Sequence, residues 1–292
     1  MGDWTHDTWD TSQWIRPEEL IVNVALTGCV HSIEASSNLP VTPGQIAADA
    51  RRCANEGASI FHLHARDVEG LPTMDQPAVQ RVVDAVRDAV PGAIVCVSCS
   101  GRHDYELMGR TGGLYVEPKP EMGSLTLGSY NTFNQIIANT APIIRGLAVV
   151  MGRRGIVPEL EAFELGHIAY AHHLIAVGAL RPPYWFNLFL GNLGTMPALE
   201  SMLRNMVAFL PGLCLWAGAG IGRHQWQVNK WAVEMGGQVR VGMEDSLWMD
   251  PNKLEPSTNP KQVLRIAAYA RGRGREPVSI ERAREILGME AE

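Results

Sequence analysis

The chain has 292 residues, of which 46% are hydrophobic and 19% are charged. This composition is typical of a well-packed globular protein and excludes a disordered chain. The formal net charge of −6 leaves no basic stripe that could neutralise a phosphate backbone, so we expect no nucleic-acid partner.

The first 20 residues contain three tryptophans among polar and acidic residues, without a basic start or a continuous apolar stretch. This segment is unlike a signal peptide or a transmembrane helix, so we expect a tail with no membrane partner. Its indoles either pack on the surface of the chain or reach a neighbouring subunit. Five cysteines, mostly in apolar runs, predict reduced thiols and a cytoplasmic location. Cys96 and Cys99 form a close pair, but without a second pair we expect no zinc site there.

Short apolar runs alternate with helix-like segments from residue 21 onward, which predicts parallel strands joined by crossover helices. The predicted strands are 21–26, 58–64, 93–98, 122–127, 156–162, 184–190, 213–217 and 238–242. Predicted helices include 43–56, 76–90, 165–177, 197–209, 225–235 and 260–271, with apolar residues at three- and four-residue spacing. Thr42 followed by Pro43 is a typical helix start.

Eight strand and helix pairs without an intervening linker predict a single α/β domain over residues 21–292, a (β/α)₈ TIM barrel, after the tail 1–20. An open doubly wound sheet is the alternative, but the Gly-x-Gly-x-x-Gly turn that such sheets use for phosphate is missing after the first strand. Because the active sites of TIM barrels lie at the carboxyl ends of the strands, candidate residues are sought there.

The second predicted strand ends in His62-Leu63-His64. Residues two apart on a strand point to the same face, so the two imidazoles can bind one metal ion. Glu244, at the end of the last strand, can supply a third ligand from across the barrel, and two histidines plus a carboxylate are typical of catalytic zinc. A hydrogen-bonded pair of core histidines is the alternative. Arg66 and Asp67 either orient the ligands or form a loop salt bridge.

Further polar side chains follow the other predicted strands: Ser98, Ser100, Thr126, Glu161, Asn187 and Asp245. A carboxylate inside a barrel needs a metal, a proton-transfer role or a partner such as Arg240. Glu159 and Glu161 alternate on the fifth strand, and we choose Glu161 for the pocket with Glu159 as the alternative. Asp245 adjoins Glu244 and is a candidate general base.

Six stretches of the chain occur together in one known family. They are Thr27-Gly28, Asn38-Leu39-Pro40-x-Thr42-Pro43, Gly57-Ala58-x-Ile60-x-His62-Leu63-His64-x-Arg66-Asp67, Pro120-Glu121-Met122, Gly128-Ser129-x-Asn131 and Val239-Arg240-Val241-Gly242-x-Glu244-Asp245. With them the chain resembles the β-keto acid cleavage enzymes. The resemblance covers the chain from the first strand to the last.

The resemblance implies an enzyme that converts a β-keto acid and acetyl-CoA into acetoacetate and a new acyl-CoA. It implies zinc bound by His62, His64 and Glu244, with acetyl-CoA as a cosubstrate and no other cofactor. A homo-oligomer, a dimer or a tetramer, is also implied.

The resemblance also implies roles for the other polar residues. Asp245, assisted by Arg240 and Ser98, would manage the proton transfers around the attack on the thioester. Thr126 and Glu161 match positions that complete the pocket, Thr126 as a substrate contact.

One departure from the family concerns the substrate. Members that act on an amino-substituted keto acid have a glutamate where this chain has Val30, so we expect Val30 to contact an uncharged tail. His31 and Arg102 leave a dicarboxylic keto acid as the second choice. Ser100 and Asn187 complete the candidate substrate contacts.

Three rival functions remain open at this point. An amidohydrolase-like barrel also uses a His-x-His pair, but there the pair ends the first strand. An acyl-CoA lyase would cleave without a thioester acceptor, and product analysis would separate it. A noncatalytic protein that binds metal or acyl-CoA would show no turnover.

Overall fold

The computed structural model describes residues 15–102, 106–132 and 135–289. Eight parallel strands close into a barrel in which each strand pairs with its neighbours in chain order and the first pairs with the last. The strands are β1 (Val22–Ala25), β2 (Ile60–Leu63), β3 (Ile94–Val97), β4 (Met122–Thr126), β5 (Val157–Ala162), β6 (Tyr184–Leu190), β7 (Cys214–Gly220) and β8 (Gln238–Val241). The predicted TIM barrel is confirmed.

Helices surround the barrel and connect successive strands. They are α1 (Pro43–Glu56), α2 (Gln76–Ala89), α3 (Leu107–Arg110), α4 (Ala141–Arg154), α5 (Leu165–Ala176), α6 (Glu200–Ala208), α7 (Gln225–Glu234), α8 (Asn259–Arg271) and α9 (Ile280–Ile286). The six helices whose bounds were predicted are all present, and α6 begins three residues later than expected, at Glu200 instead of Pro197.

The start of α1 shows how the sequence sets an element boundary. The Thr42 side chain accepts a hydrogen bond from the Gln45 backbone N–H at 3.3 Å, and the Gln45 side chain accepts one from the Thr42 N–H at 3.0 Å. Pro43 occupies the first turn, where its missing N–H is harmless. This reciprocal cap holds the end of the loop between β1 and α1.

The interior of the barrel changes in character along its axis. At the amino-terminal end of the strands, inward side chains such as Ile60, Ile94 and Trp185 form a buried apolar cluster with Leu287, just after α9. Nearer the carboxyl end of the strands, the inward side chains are polar and buried. The apolar floor therefore separates a polar upper layer from the bottom of the barrel.

Residues 15–20, the described part of the predicted tail, lie against this amino-terminal end. The Ile15 N–H donates to the Cys214 carbonyl at 3.1 Å, and the Leu20 N–H donates to the Glu276 carbonyl at 2.8 Å. The three tryptophans of the tail lie outside the described residues, so the expectations about their indoles stay predictions. Within the described part of the chain, no helix combines the length and apolarity needed to cross a membrane.

Candidate active site

Two histidines and a glutamate meet at the carboxyl end of the barrel. The Nε2 atoms of His62 and His64 lie 3.2 Å apart, and His64 Nε2 lies 3.2 Å from Glu244 Oε1. His62 Nε2 is 3.7 Å from Glu244 Oε2. Both imidazoles are buried, because β2 turns them towards the barrel interior.

Glu244 reaches this position from a turn rather than from a strand. We expected it at the end of the last strand, but β8 ends at Val241, three residues before Glu244. Gly242 adopts φ +140°, and a side chain there would collide with the Ala25 carbonyl oxygen. The turn lets the consecutive residues Glu244 and Asp245 both face the site, which a regular strand would not allow.

A second glycine makes room for the same carboxylate. A Cβ on Gly28 would lie 2.5 Å from the Glu244 Cγ, and Gly28 also has a φ of +68°. The Thr27-Gly28 motif after β1 therefore has a steric reason in this fold, since any larger residue would displace Glu244.

These three side chains fit a divalent metal ion. Ligand atoms about 2.0–2.1 Å from a tetrahedral ion lie about 3.3 Å apart, close to the spacings found here. Glu244 Oε2 is buried and has no hydrogen-bond partner among the described residues. A buried acceptor without a donor is costly, and a cation at this point would satisfy it.

Glu159 orients His62 from below. Its Oε2 accepts a hydrogen bond from His62 Nδ1 at 2.7 Å, and its Oε1 accepts one from Asn23 Nδ2 at 2.6 Å. Burial raises the pKa of Glu159, but His62, Arg240 and Asn23 outweigh it and lower the pKa to about 2. An anionic Glu159 fixes the ring proton on Nδ1 and turns Nε2 towards the metal position.

His62, Cys96 and Glu159 form a second group of possible ligands. The oxygens of Glu159 are already bonded, and burial raises the pKa of the Cys96 thiol well above its usual range. The Cys96 thiol also donates to Glu159 Oε2 at 3.3 Å, so in this structure the group forms a hydrogen-bonded network that orients His62.

Arg240 lies at the centre of the polar layer, close to four carboxylates. Its guanidinium donates to Asp245 Oδ2 from Nε at 3.0 Å, and its Nη2 lies 3.2 Å from Glu244 Oε1. Its Nη1 lies 3.6 Å from a carboxylate oxygen of Glu159 and of Glu161. These four carboxylates keep the pKa of Arg240 well above its usual value despite burial. One guanidinium cannot balance four acids, which favours a dication nearby.

Glu161 and Asp245 are the acids placed for proton transfer. Glu161 accepts a hydrogen bond from the Thr126 hydroxyl at 2.6 Å, and burial, opposed by Arg240, raises its pKa to about 7. Burial and the neighbouring Glu244 also raise the pKa of Asp245, while Arg240 opposes the shift. Glu161 can therefore take and return a proton near neutral pH, and the raised pKa makes Asp245 a stronger base than an ordinary aspartate.

A cavity of about 570 Å³ opens above this layer. Its wall contains all but one of the predicted site residues: Val30, His62, His64, Ser98, Ser100, Thr126, Glu161, Arg240, Glu244 and Asp245. Glu161 lies in this wall, and Glu159 lies deeper, under His62.

Asn187 does not reach the cavity, contrary to our expectation. It is fully buried on β6 in register with Glu161, and its amide has no hydrogen-bond partner among the described residues. Phe189, two residues further along the same face, lines the cavity instead.

Arg66 and Asp67 shape loops instead of orienting the ligands. Arg66 donates to the carbonyls of Gly28 and His31, both at 2.8 Å, and so holds the loop after β1. The Asp67 carboxylate accepts backbone N–H groups of its own turn at 3.0 and 2.8 Å. Of the two roles that the sequence left open, neither a direct contact with the proposed ligands nor a salt bridge between Arg66 and Asp67 occurs among the described residues.

Sequence reasoning missed an aromatic wall formed by Tyr130, Phe163 and Phe189. The ring centroids of Tyr130 and Phe163 lie 4.0 Å apart, and those of Phe163 and Phe189 lie 4.4 Å apart. Arg240 Cζ lies 4.9 Å from the Phe189 centroid, a cation–π contact that supports the guanidinium from one side. Phe163 and Phe189 continue the inward faces of β5 and β6, so the period of two could have revealed them.

A profile of the beta-keto acid cleavage enzyme family matches residues 19–289. The chain belongs to the β-keto acid cleavage enzyme family. The predicted resemblance is thereby confirmed, together with the prediction of an enzyme that cleaves a carbon–carbon bond by acyl transfer.

Two relatives are similar to this chain over nearly their whole length. A 3-keto-5-aminohexanoate cleavage enzyme from Fusobacterium nucleatum is 34% identical over 276 residues, covering 93% of this chain and 98% of the relative. A 3-oxoadipate:acetyl-CoA acetyltransferase from Cupriavidus necator is 31% identical over 272 residues, covering 92% and 94%. The apo structure of ObcA has a TM-score of 0.78 at 20% identity, covering 88% of this chain and 66% of that protein. This last likeness shows the fold alone.

Proposed function

We propose that the chain is a zinc-dependent β-keto acid cleavage enzyme that converts a β-keto acid and acetyl-CoA into acetoacetate and a new acyl-CoA. The observation that supports this most directly is the group of His62, His64 and Glu244 beside Arg240 and Asp245, with a Glu244 oxygen that lacks a donor. Two histidines and one carboxylate favour zinc. When bound, the ion would act as a Lewis acid on the carbonyl of the keto acid.

Asp245 is the base of the proposed reaction. It takes a proton from C2 of the keto acid, and the carbanion attacks the thioester carbonyl of acetyl-CoA and expels the CoA thiolate. The thiolate then attacks the C3 carbonyl, the C2–C3 bond breaks, and C2 leaves within acetoacetate after regaining the proton. Atoms balance, because the acetyl group and the acyl group exchange partners.

The other polar residues assist this exchange. Arg240 holds the Asp245 carboxylate through Nε and Nη2, at 3.0 and 3.4 Å, and so fixes the direction of the base. Ser98 lies in the cavity wall, and the Thr126 hydroxyl holds the Glu161 carboxylate, which can assist the removal and return of this proton. The group is buried apart from its cavity face, so a substrate that fills the cavity would exclude water from the base.

We propose that the two substrates occupy two adjoining cavities. A second cavity of about 470 Å³ shares Cys29, His64 and Ser98 with the first, so the two meet beside the proposed metal ligands. Relatives named for acetyl-CoA chemistry include the enzyme that acts on 3-oxoadipate and a 3,5-dioxohexanoate:acetyl-CoA acetone transferase. These names support acetyl-CoA as the cosubstrate here.

The substrate tail is proposed to lack a positive charge. Val30 is 55% exposed and lies in the cavity wall, where it offers an ammonium group no partner. This argument disfavours a cationic tail and leaves an uncharged tail, which the sequence ranks first, and a tail with a carboxylate, which it ranks second. We further propose a cytoplasmic homo-oligomer, a dimer or a tetramer, built from one barrel domain over 21–292 after the tail 1–20.

The test is a panel of neutral, amino-substituted and dicarboxylic β-keto acids, assayed with and without acetyl-CoA for acetoacetate and the new acyl-CoA. We expect turnover that requires acetyl-CoA, stops after chelation and returns with zinc. Cleavage without acetyl-CoA would indicate a lyase instead, and no turnover of any acid would contradict the proposed function.

A further inference from the structure

We propose that the keto acid has a second carboxylate at the end of its tail, and that Arg102 binds it. This inference rests on the proposed function and reverses the order in which the sequence ranked the neutral and the dicarboxylic substrate. It starts from the charges in the cavity wall.

Arg102 is a cation without a partner in that wall. It follows β3 and lines the cavity. Its guanidinium makes no ion pair or hydrogen bond with any residue that the structure describes, whereas Arg240 in the same cavity faces four carboxylates. A guanidinium has five donors in a fork that matches a carboxylate, and an apolar tail would leave all of them unmet.

Arg102 lies on the same side of the cavity as Val30, the residue proposed to contact the substrate tail. Burial raises the pKa of the Cys29 thiol to about 11, and the Arg102 charge opposes this rise. Burial also lowers the pKa of His31, and the charges of Arg66 and Arg102 lower it further. The Arg102 charge therefore acts on the residues on both sides of Val30, all of which line the same cavity, and the lowered pKa leaves His31 as a neutral hydrogen-bonding group.

The other cation beside this loop is already engaged. Arg66 binds the carbonyls of Gly28 and His31 at 2.8 Å and that of Gly70 at 3.2 Å. These bonds hold the loop so that Val30 and His31 face the cavity. Arg102 is left as the guanidinium available to a ligand on this side.

The described carboxylates of the wall are already engaged or belong to the proposed metal site. Glu161 and Asp245 bind Thr126 and Arg240, and Glu244 belongs to the proposed metal site. Asp250 accepts three backbone N–H groups of its own turn, at 2.9, 2.9 and 2.7 Å. The charge that remains available on the Arg102 side is positive, which selects an anionic tail.

The phosphates of CoA could also bind a cation in this cavity. Arg223 and Lys253 line it as well, after β7 and β8. Because β7 lies opposite β3 in the barrel order, Arg223 comes from the far side of the barrel. This separation provides a matched control, since Arg223→Gln removes the same charge from the other side.

The test compares two acids of six carbons, 3-oxoadipate and 3-oxohexanoate, which differ by a carboxylate in place of a methyl group. A hydrogen-bonded charge contributes about 1.5–3 kcal/mol, so we expect wild-type kcat/KM to favour 3-oxoadipate roughly 10- to 150-fold. Arg102→Gln should abolish this preference and leave 3-oxohexanoate within a few-fold of its wild-type value. Arg102→Lys should keep part of it, and Arg223→Gln should keep all of it.

The outcomes separate the inference from the proposed function. Equal turnover of both acids by the wild-type enzyme, or an equal loss for both in Arg102→Gln, overturns the carboxylate site and leaves the cleavage reaction standing. A rise in the KM for acetyl-CoA alone would assign Arg102 to a CoA phosphate and would also overturn it. No turnover of either acid would count against the proposed function itself.

Discussion

Two glutamates of one strand acquire different properties from their contacts. Glu159 and Glu161 both face the interior from β5, and burial alone would raise the pKa of each. The His62 ring lies 2.7 Å from Glu159 and keeps it anionic, while Arg240 is 3.6 Å from Glu161. The deeper carboxylate is thus an orienting group, and the shallower one can exchange a proton.

The first residue-scale prediction concerns the acids. Asp245→Asn and Glu161→Gln should each lower kcat by roughly 10²–10⁴ and retain the metal, because both changes keep the side-chain shape but remove the proton acceptor. Steady-state kinetics with elemental analysis of each variant checks this. Unchanged kcat in both variants would mean that the proton transfers occur elsewhere.

The pH profile should follow Glu161. Its pKa is raised to about 7, and because the Thr126 hydroxyl can donate to the carboxylate, we expect the deprotonated form to be the active one. We therefore expect kcat/KM to rise as the pH increases through about 7 and to lose this limb in Glu161→Gln. An identical rise in the variant would assign the limb to another group.

At the scale of elements, the metal site depends on β2 and on its contact with β5 across the barrel. Alternation on β2 brings His62 and His64 to one face, and β5 supplies the carboxylate that orients His62. Because the three proposed ligands come from β2 and from the turn after β8, neither segment can hold an ion alone.

His62→Ala and His64→Ala should each lose the metal together with activity, since too few protein ligands remain. Glu159→Gln should keep the ligands and weaken metal affinity by about 10–100-fold, as expected for an orienting partner. Competition with a chelator, read by elemental analysis, measures both effects.

Cys96→Ser is the matched control, because Cys96 belongs to the alternative group with His62 and Glu159. Its metal content should equal that of the wild type. Loss of the ion in Cys96→Ser, or its retention in His64→Ala, would contradict the assignment of the ligands.

At the scale of the whole molecule, the charges of the polar layer reduce the stability of the fold, and a bound metal ion would offset this cost. Arg240 lies among four carboxylates inside the barrel, above an apolar floor. An ion that binds the folded state alone, at 1,000 times its Kd, stabilises by about 4 kcal/mol. Binding and folding of the barrel are therefore coupled.

Zinc should accordingly raise Tm by roughly 10 °C over the chelated protein, given a few degrees per kcal/mol for a chain of this size. Differential scanning calorimetry with chelator and with added zinc measures the shift. His64→Ala should show no such increment. A wild-type Tm that is the same in both conditions would exclude tight binding of the ion to the folded barrel.

Some elements were predictable to within a residue or two and others were not. The first residue of β6 and both ends of α1 agree with prediction, because apolar runs and a Thr-Pro helix start are local signals. By contrast, β7 continues to Gly220, three residues past the expected end. Its Gly218-Ala219-Gly220 segment has the composition of a turn, but pairing with β6 keeps it extended.

The amino-acid sequence by itself determined the barrel, the family and the histidine pair, because alternation and residue type are local properties. Only the tertiary structure decided that Asn187 lies beneath the cavity, that Glu159 orients His62, and that Glu244 and Asp245 both face the site. Depth in the barrel depends on strand register, and the direction of Glu244 depends on the turn at Gly242. That the Arg102 guanidinium has no partner among the described residues likewise depends on the tertiary structure, in which residues far apart in the chain pair with one another.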